Sequence, residues 1–251
     1  MRTPSLLRRA AVAVTLSLTF LGGVTLTAQP AAAVIGGTPA AHLRGQVQIF
    51  VNLGYECTGT LISPNWVLTA RHCFDNTGGN VNNALVVAGD RTLTRGQAMS
   101  IAGIYRHPTQ DAMLLNLWQN VPNAANLVVG YSREYLAPGA NVSISGWGLM
   151  TRGGNTPAPV LQVCTMRVRA NSVHHDQVGA GNSAYQLVAT NYGTTGPDSG
   201  VTGRGDSGAG VMYNNRVHGV LITGNAVDMS YALQTHTIAG WIQQKSRVQP
   251  S

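Results

Sequence analysis

The sequence predicts an all-β fold, a sandwich or barrel of short antiparallel strands that ends in one α-helix. Thirty glycines and 11 prolines place turn signals throughout the chain. Between the turns lie short segments rich in Val, Ile, Leu and Thr, which are typical of strands. The predicted strand segments are 46–53, 58–70, 83–90, 141–148, 161–170, 184–190, 210–215 and 217–224. Only residues 237–248 have apolar side chains at helical spacing, with Ile238, Trp241 and Ile242 on one face.

The first 33 residues have the features of a secretory signal peptide. A basic start leads into an apolar run, and Ala31 and Ala33 satisfy the small-x-small cleavage rule. Gly22 and Gly23 interrupt the run, which argues against a retained membrane anchor. We therefore expect cleavage after Ala33, secretion of one domain spanning residues 34–251, and no membrane contact after cleavage.

The charge of the chain is modest once this signal is removed. Three of its 16 basic residues lie in the signal, so the formal net charge of +7 falls to +4. The remaining arginines are scattered and no aromatic-basic stripe accompanies them, so nothing supports nucleic-acid binding. The Arg8-Arg9 pair also permits export of the folded chain by the twin-arginine route, as an alternative to general secretion.

The cysteines divide into a pair and a single residue. Cys57 and Cys73 enclose a loop of a size that exported proteins commonly cross-link. Cys164 lies in an alternating apolar stretch, where a buried, inert thiol is expected.

The segment with His174, His175 and Asp176 raises the question of a metal site. It lacks a further spaced ligand, and adjacent strand residues point to opposite faces. We expect a solvated loop there, no metal and no cofactor.

Residues 203–210, GRGDSGAG, contain two overlapping motifs. Residues 204–206 form the Arg-Gly-Asp tripeptide of adhesion proteins, whereas residues 205–208 are similar to the nucleophile loop of a serine peptidase. A serine nucleophile needs an imidazole base and a carboxylate that holds the imidazole. The choice between the motifs therefore depends on where His and Asp occur.

The downstream candidates, Asp228 and His236, would give the order Ser, Asp, His of the α/β-hydrolases. That fold places its serine in G-x-S-x-G, but Ala209 stands two residues after Ser207. Too few residues follow Ser207 to complete such a sheet, so this order is excluded.

The upstream candidates give the order His, Asp, Ser, with His72 in "TARHC", Asp111 in "DAMLLNL" and Ser207 in "GDSG". With these segments the sequence resembles the chymotrypsin/trypsin family of serine peptidases, as a secreted bacterial-type member. The segments "VIGG", "ISGWG" and "GWIQQ" are similar to further family landmarks. The resemblance covers nearly all of residues 34–251 and implies two packed antiparallel Greek-key β-barrels, an active site between them and a C-terminal α-helix. It also implies a Cys57–Cys73 disulfide.

The resemblance implies a role for each catalytic group. Asp111 would orient His72, which would take the proton of Ser207 and later deliver it to the leaving amine. The backbone N–H groups of Gly205 and Ser207 would stabilise the oxyanion. We expect a monomer that acts on proteins or peptides.

The resemblance also turns Asp206 inward, to pair with the ammonium of Val34 that signal cleavage frees. An adhesion tripeptide needs its Asp outside, so this pair argues against adhesion. A catalytically weak or inactive binding or adhesion protein on the same scaffold is the remaining alternative.

The substrate pocket expected from the resemblance comprises Val201, Ile222, Thr223, Gly224 and Met229. Val201 lies six residues before Ser207, where relatives that cut after Arg or Lys usually have Asp. We expect cleavage after small or medium apolar residues. If a different residue than Val201 corresponds to that pocket position, Asp198 or Asp228 would supply the negative charge.

Two departures from the family pattern affect the triad. Arg71 replaces an alanine beside His72, and Ile222 replaces a serine that normally supports the triad aspartate. We expect the Arg71 guanidinium to supply part of the support that Asp111 has lost.

Overall fold

The computed structural model describes residues 34–174, 183–190 and 200–251. Within these ranges most of the regular secondary structure is strand. The strands are β1 (Thr38–Pro39), β2 (Gln46–Val51), β3 (Gly54–Ser63), β4 (Trp66–Thr69), β5 (Ala84–Ala88), β6 (Gln97–Arg106), β7 (Met113–Leu117), β8 (Gly130–Tyr131), β9 (Asn141–Gly146), β10 (Gln162–His174), β11 (Ser183–Ala189), β12 (Gly210–Tyr213), β13 (Arg216–Gly224) and β14 (Met229–Gln234). The helices are α1 (His72–Asp75) and α2 (Thr235–Ser246), with a 3-10 turn at Ala124–Asn126.

The first barrel closes in the order β2-β3-β4-β7-β6-β5. Each neighbouring pair is antiparallel, and the fourth strand along the chain, β5, lies beside the first, β2. A fourth strand that returns to the first is the mark of a Greek key. Buried side chains such as Ile49, Leu61, Leu68 and Leu115 fill its interior.

The second barrel repeats this order with β9-β10-β11-β14-β13-β12, and β12 pairs with β9 to close it. Its core is a second apolar cluster that includes Ile144, Tyr185 and Leu187. Two short strands lie outside the barrel: β1 pairs with β10, and β8 pairs with β13 in parallel. The fold prediction of two antiparallel Greek-key barrels is thus confirmed.

The predicted C-terminal helix is confirmed as α2. Ile238 and Ile242 are buried in the same apolar cluster as the first barrel, while Trp241 is half-buried at its edge. Among the described residues, neither helix has the length and apolarity that crossing a bilayer requires.

Candidate active site

Three side chains that the sequence predicts to act together lie at the ends of strands from both barrels. His72 begins α1 just after β4, Asp111 lies just before β7, and Ser207 precedes β12. All three line one cavity of about 570 Å³. The order of strands brings these segments together although they are far apart in the chain.

Asp111 contacts His72 at two points. Its Oδ2 lies 2.6 Å from the ring Nδ1 of His72, and its Oδ1 accepts the backbone N–H of His72 at 2.9 Å. The Asp111 side chain is 14% exposed and that of His72 is 30% exposed. Asp111 therefore fixes the imidazole at Nδ1, and Nε2 stays available to a group in the cavity that His72 lines.

Ser207 is half-buried in the wall of the cavity. Its Oγ donates to the carbonyl of Ile222 at 3.3 Å, and within the described residues it makes no hydrogen bond to His72. Nucleophile–base hydrogen bonds in unliganded enzymes are often long and tighten when substrate binds. The carbonyl that precedes Ser207, from Asp206, accepts the N–H of Ala209 at 3.0 Å. The Ser207 N–H has no acceptor among the described residues.

Gly205 is held in a conformation that favours glycine. Its φ is +95°, and a Cβ at this position would lie 2.9 Å from the Cα of Gly148. The carbonyl of Arg204 accepts the Leu149 N–H at 2.7 Å. Because a trans peptide directs its N–H opposite its carbonyl, the Gly205 N–H points away from Leu149. This N–H also finds no acceptor in the part of the chain that the structure describes.

Asp206 lies between Gly205 and Ser207 in the chain, and its side chain points inward. It is 0% exposed, and its carboxylate accepts the N–H of Gly148 at 2.9 Å and that of Gly203 at 2.8 Å. Burial raises the pKa of this carboxyl to about 7, although the two hydrogen bonds act in the opposite direction. The Asp of the adhesion tripeptide is thus not on the surface.

Val34, the expected partner of Asp206, is fully buried in the cluster that contains Val201 and Cys164. Ala33 precedes it in this chain, so its nitrogen is an amide and not an ammonium. No ion pair joins it to Asp206 within the described ranges. The Val34–Asp206 pair stays a prediction for the cleaved chain.

The expectation that Arg71 supports Asp111 is wrong. Its Nε donates to Asp75 Oδ2 at 2.6 Å, and its Nη1 donates to the carbonyl of His107 at 3.1 Å. Arg71 stands just before α1, where a side chain reaches the residue four positions later. Arg106 binds the other oxygen of Asp75 at 2.7 Å. The Arg71 guanidinium therefore holds the backbone of the loop that leads to Asp111, through the carbonyl of His107.

The disulfide prediction is confirmed. Cys57 in β3 is bonded to Cys73 in α1, with a Cα–Cα distance of 6.1 Å, so the bridge ties the helix that begins at His72 to the first barrel. The two sulfur atoms lie near the His72 ring, but sulfurs joined in a disulfide are not the thiolates that bind a metal. Cys164 is free and buried, as expected, and burial raises the pKa of its thiol, as does the nearby Asp206 carboxylate.

The structure brings only part of the expected pocket into the cavity. Ile222, Thr223 and Gly224 line it, whereas Val201 and Met229 are not among its described lining residues. Val201 pairs with Ile35 and is fully buried. The cavity is also lined by residues outside the predicted pocket, namely Asn76, Thr202, Gly203, Arg204, Leu221, Asn225 and Ala226.

The wall of the cavity has a polar feature that no sequence pattern indicated. Thr202, which is 3% exposed, lines the cavity, and its hydroxyl lies 2.5 Å from that of the fully buried Ser230. The two hydroxyls satisfy each other, so neither is an unpaired polar group within the wall.

The other candidates do not join this site. Asp228 is exposed and accepts a hydrogen bond from Asn225, and His236 packs against Tyr135, so neither lines the cavity of Ser207. His174 is the last residue of β10, while His175 and Asp176 lie outside the described residues, as does Asp198.

Known proteins share this sequence pattern. The trypsin family model matches residues 34–242. The chain is 30% identical to serine protease SP24D of Anopheles gambiae over 234 residues, covering 86% of this chain and 82% of the relative. It is 28% identical to anionic trypsin of Canis lupus familiaris over 222 residues, covering 83% and 86% respectively. It is also 32% identical to a putative peptidase of Corynebacterium glutamicum, over 66% of this chain and 52% of that protein. The chain therefore belongs to the trypsin family of serine peptidases.

Proposed function

We propose that this serine endopeptidase cuts peptide bonds through His72, Asp111 and Ser207, by way of an acyl-enzyme, and that it is secreted. The observation that carries the proposal is the meeting of the three side chains in one cavity, with Asp111 Oδ2 2.6 Å from His72 Nδ1. A serine hydroxyl is a poor nucleophile at neutral pH, and an imidazole held in one orientation supplies the base that it needs.

The proposed reaction begins at the Ser207 hydroxyl. Its proton passes to His72 as Oγ attacks the substrate carbonyl, and the resulting imidazolium is stabilised by Asp111. The tetrahedral intermediate collapses when His72 delivers this proton to the leaving amine, which leaves an ester on Ser207. Water then attacks the ester with His72 again as the base, and Ser207 is released.

The N–H groups of Gly205 and Ser207 are the proposed donors to the oxyanion. Their lack of an acceptor among the described residues supports this role, because a donor that is already satisfied could not strengthen its bond in the transition state. Removal of one such donor typically costs about 2.7–4 kcal/mol of transition-state stabilisation.

Secretion and activation form one proposal. Residues 1–33 would act as the signal peptide, and cleavage after Ala33 would create the ammonium of Val34 that pairs with Asp206. The disulfide is consistent with export to an oxidising compartment. The similarity to the peptidase of Corynebacterium glutamicum supports a bacterial-type enzyme.

The proposed preference before the cut is for small or medium apolar side chains, and the substrates are proteins or peptides. Adhesion through residues 204–206 has no support, because Asp206 is fully buried and two backbone N–H groups already bind its carboxylate. The Arg before the loop is exposed, but the tripeptide as a unit is not.

The test is the reaction of Ser207 with a phosphonylating reagent, followed by peptide hydrolysis by Ser207→Ala. We expect a single labelled serine and loss of hydrolysis in the variant. Arg204→Ala is the matched control for adhesion and should retain most of the hydrolysis, because Arg204 lines the cavity but is not one of the three proposed catalytic residues. Full hydrolysis by Ser207→Ala would end the proposal, and receptor-dependent cell attachment that Arg204→Ala abolishes would favour the adhesion alternative.

A further inference from the structure

The carbonyl of Gly205 is held by two hydroxyl groups from β3. The Tyr55 hydroxyl donates to it at 2.7 Å, and Thr58 Oγ1 lies 3.1 Å from the same oxygen. The two hydroxyls are themselves 2.9 Å apart. Three oxygen atoms thus share two protons, and the shorter distance assigns the Tyr55 proton to Gly205. Thr58 donates to either of the other two oxygens.

The same strand also binds the second residue of the proposed oxyanion site. The backbone N–H of Thr58 donates to the carbonyl of Ser207 at 3.0 Å. One segment of the first barrel therefore holds the carbonyls of both Gly205 and Ser207, which belong to a loop of the second barrel. These bonds occupy acceptors on the β3 side of the loop and leave the two N–H donors without a partner in the described structure.

We propose that Tyr55 is a positioning residue of this enzyme. Its hydroxyl fixes the Gly205–Asp206 peptide, which lies between the two peptides that carry the Gly205 and Ser207 N–H groups, and it thereby keeps both donors aimed at the developing oxyanion. This inference rests on the proposed catalytic function. Gly205 has the backbone freedom of glycine at a φ of +95°, so its peptide needs an external contact to remain in one orientation. A hydrogen-bond donor that is already oriented before the reaction lowers the activation free energy, because no reorganisation is needed as the oxyanion forms.

The surroundings of Tyr55 suit this role. A Cβ built on Gly205 would lie 3.1 Å from Tyr55 Cε1, so the ring packs directly against the loop. Burial raises the pKa of the Tyr55 hydroxyl, and the nearby Asp206 carboxylate raises it further. The hydroxyl is consequently a protonated donor throughout the working pH range of such an enzyme.

The test is Tyr55→Phe, which keeps the ring and removes the hydroxyl. We expect kcat on an amide substrate to fall about tenfold with KM within about twofold, because Thr58 still offers one donor and a full loss of an oxyanion donor costs about 100- to 1000-fold. The affinity for a peptide boronate, which forms a tetrahedral adduct on Ser207, should fall by the same factor. The affinity for the matching product peptide, which forms no adduct, should stay unchanged. The kcat ratio of wild type to variant should be constant from pH 6 to 9.

Thr58→Val and Tyr105→Phe are the comparison variants. Thr58→Val leaves the shorter bond and should lower kcat less than Tyr55→Phe, about twofold to fivefold, whereas the double variant should lose more than the product of the two single losses. Tyr105→Phe, on the surface of β6, should match wild type. Thermal melting shows whether each variant is folded, and if Tyr55→Phe is not, Thr58→Val carries the test.

Wild-type kcat and boronate affinity in a folded Tyr55→Phe variant would overturn the inference, as would an unchanged kcat in Thr58→Val where that variant carries the test. A fall in product-peptide affinity equal to that for the boronate would also overturn it, because it would show a general loss of binding. Ser207→Ala, assayed in parallel, separates this result from the proposed function: activity in that variant would refute the catalytic proposal itself.

Discussion

The Asp111 carboxylate binds His72 with both oxygens, one 2.6 Å from the ring Nδ1 and the other 2.9 Å from the backbone N–H. The backbone bond fixes the carboxylate, and the ring bond then fixes the imidazole. An acceptor at Nδ1 keeps the proton on that nitrogen, so the other ring nitrogen is free to accept a proton from Ser207.

The first prediction concerns this tautomer. In Asp111→Asn the amide can keep its oxygen toward the backbone N–H of His72 and then presents its NH₂ to Nδ1, which favours the wrong tautomer. We expect kcat to fall on the order of 10⁴-fold, the loss typical of this substitution in Ser-His-Asp peptidases, with little change in the melting temperature. Steady-state kinetics on a peptide amide measures it. Asp90→Asn, outside the cavity, is the control, and an Asp111→Asn enzyme as active as that control would contradict the assignment.

The second prediction concerns Arg71, which binds both Asp75 and the carbonyl of His107. Arg71→Ala removes both contacts and should loosen the loop that leads to Asp111. We expect a several-fold lower kcat and a loss of about 1 kcal/mol or less in the free energy of unfolding, because the ion pair is about one-third exposed on each side.

Arg106→Ala is the matched control for Arg71→Ala, because it breaks the other bond to Asp75 without touching the carbonyl of His107. We expect a similar change in urea denaturation and an unchanged kcat. If the two variants have equal kcat values, the contact between Arg71 and the loop does not influence catalysis.

The sequence was sufficient for the two barrels, the disulfide and the residues that meet in the cavity, because the ordered His, Asp and Ser segments carry a family resemblance that implies all of them. The sequence did not predict the hydrogen-bond partner of a side chain that has several polar groups within reach. Arg71 illustrates this: Asp111 and Asp75 were both within reach of a neighbour of His72, and only the start of α1 directs the guanidinium to Asp75. The Tyr55 and Thr58 hydroxyls are a second case, since their partner lies about 150 residues along the chain and no periodicity indicates it.

Strand β6 shows the same limit for secondary structure. Of the strands outside the predicted segments it is the longest, and its sequence, QAMSIAGIYR, contains four small residues and only two isoleucines as β-branched residues. The strand propensity of these residues is low, and β6 is stabilised by its pairing with β5 on one side and β7 on the other.

The third prediction concerns pH and the amino terminus. In a form that retains residues 31–33, the pKa of Asp206 is about 7 when folded and 3.8 when unfolded. A raised folded-state pKa gives stability that is fully present below pH 3.8 and is lost as the pH rises through 7. The loss is on the order of 4 kcal/mol over this window. In a form that begins at Val34, the ammonium should lower the pKa of Asp206 and remove most of this loss.

Urea denaturation of both forms between pH 4 and 8 tests this prediction. The difference in the free energy of unfolding should be smallest near pH 4 and largest near pH 7, in favour of the form that begins at Val34. Asp206→Asn in the longer form should abolish its extra pH dependence. Parallel curves for the two forms would mean that the Val34 ammonium does not reach Asp206.

The last prediction concerns the side chain before the cut. Besides Asp111, which is engaged with His72, the described residues that line the cavity include no acidic side chain, and the hydroxyl of the lining residue Thr202 is bonded to that of the buried Ser230. A substrate ammonium or guanidinium buried there would lack a counter-charge, which costs several kcal/mol. We therefore expect kcat/KM for peptides with Ala or Leu before the cut to exceed that for Arg by about 100-fold or more, with Phe in between because of its size. Matched peptide substrates measure this directly, and Asp198→Asn and Asp228→Asn should leave the order unchanged. A dominant Arg substrate would reverse the assignment, and whichever variant then lost Arg cleavage would identify the residue that supplies the charge.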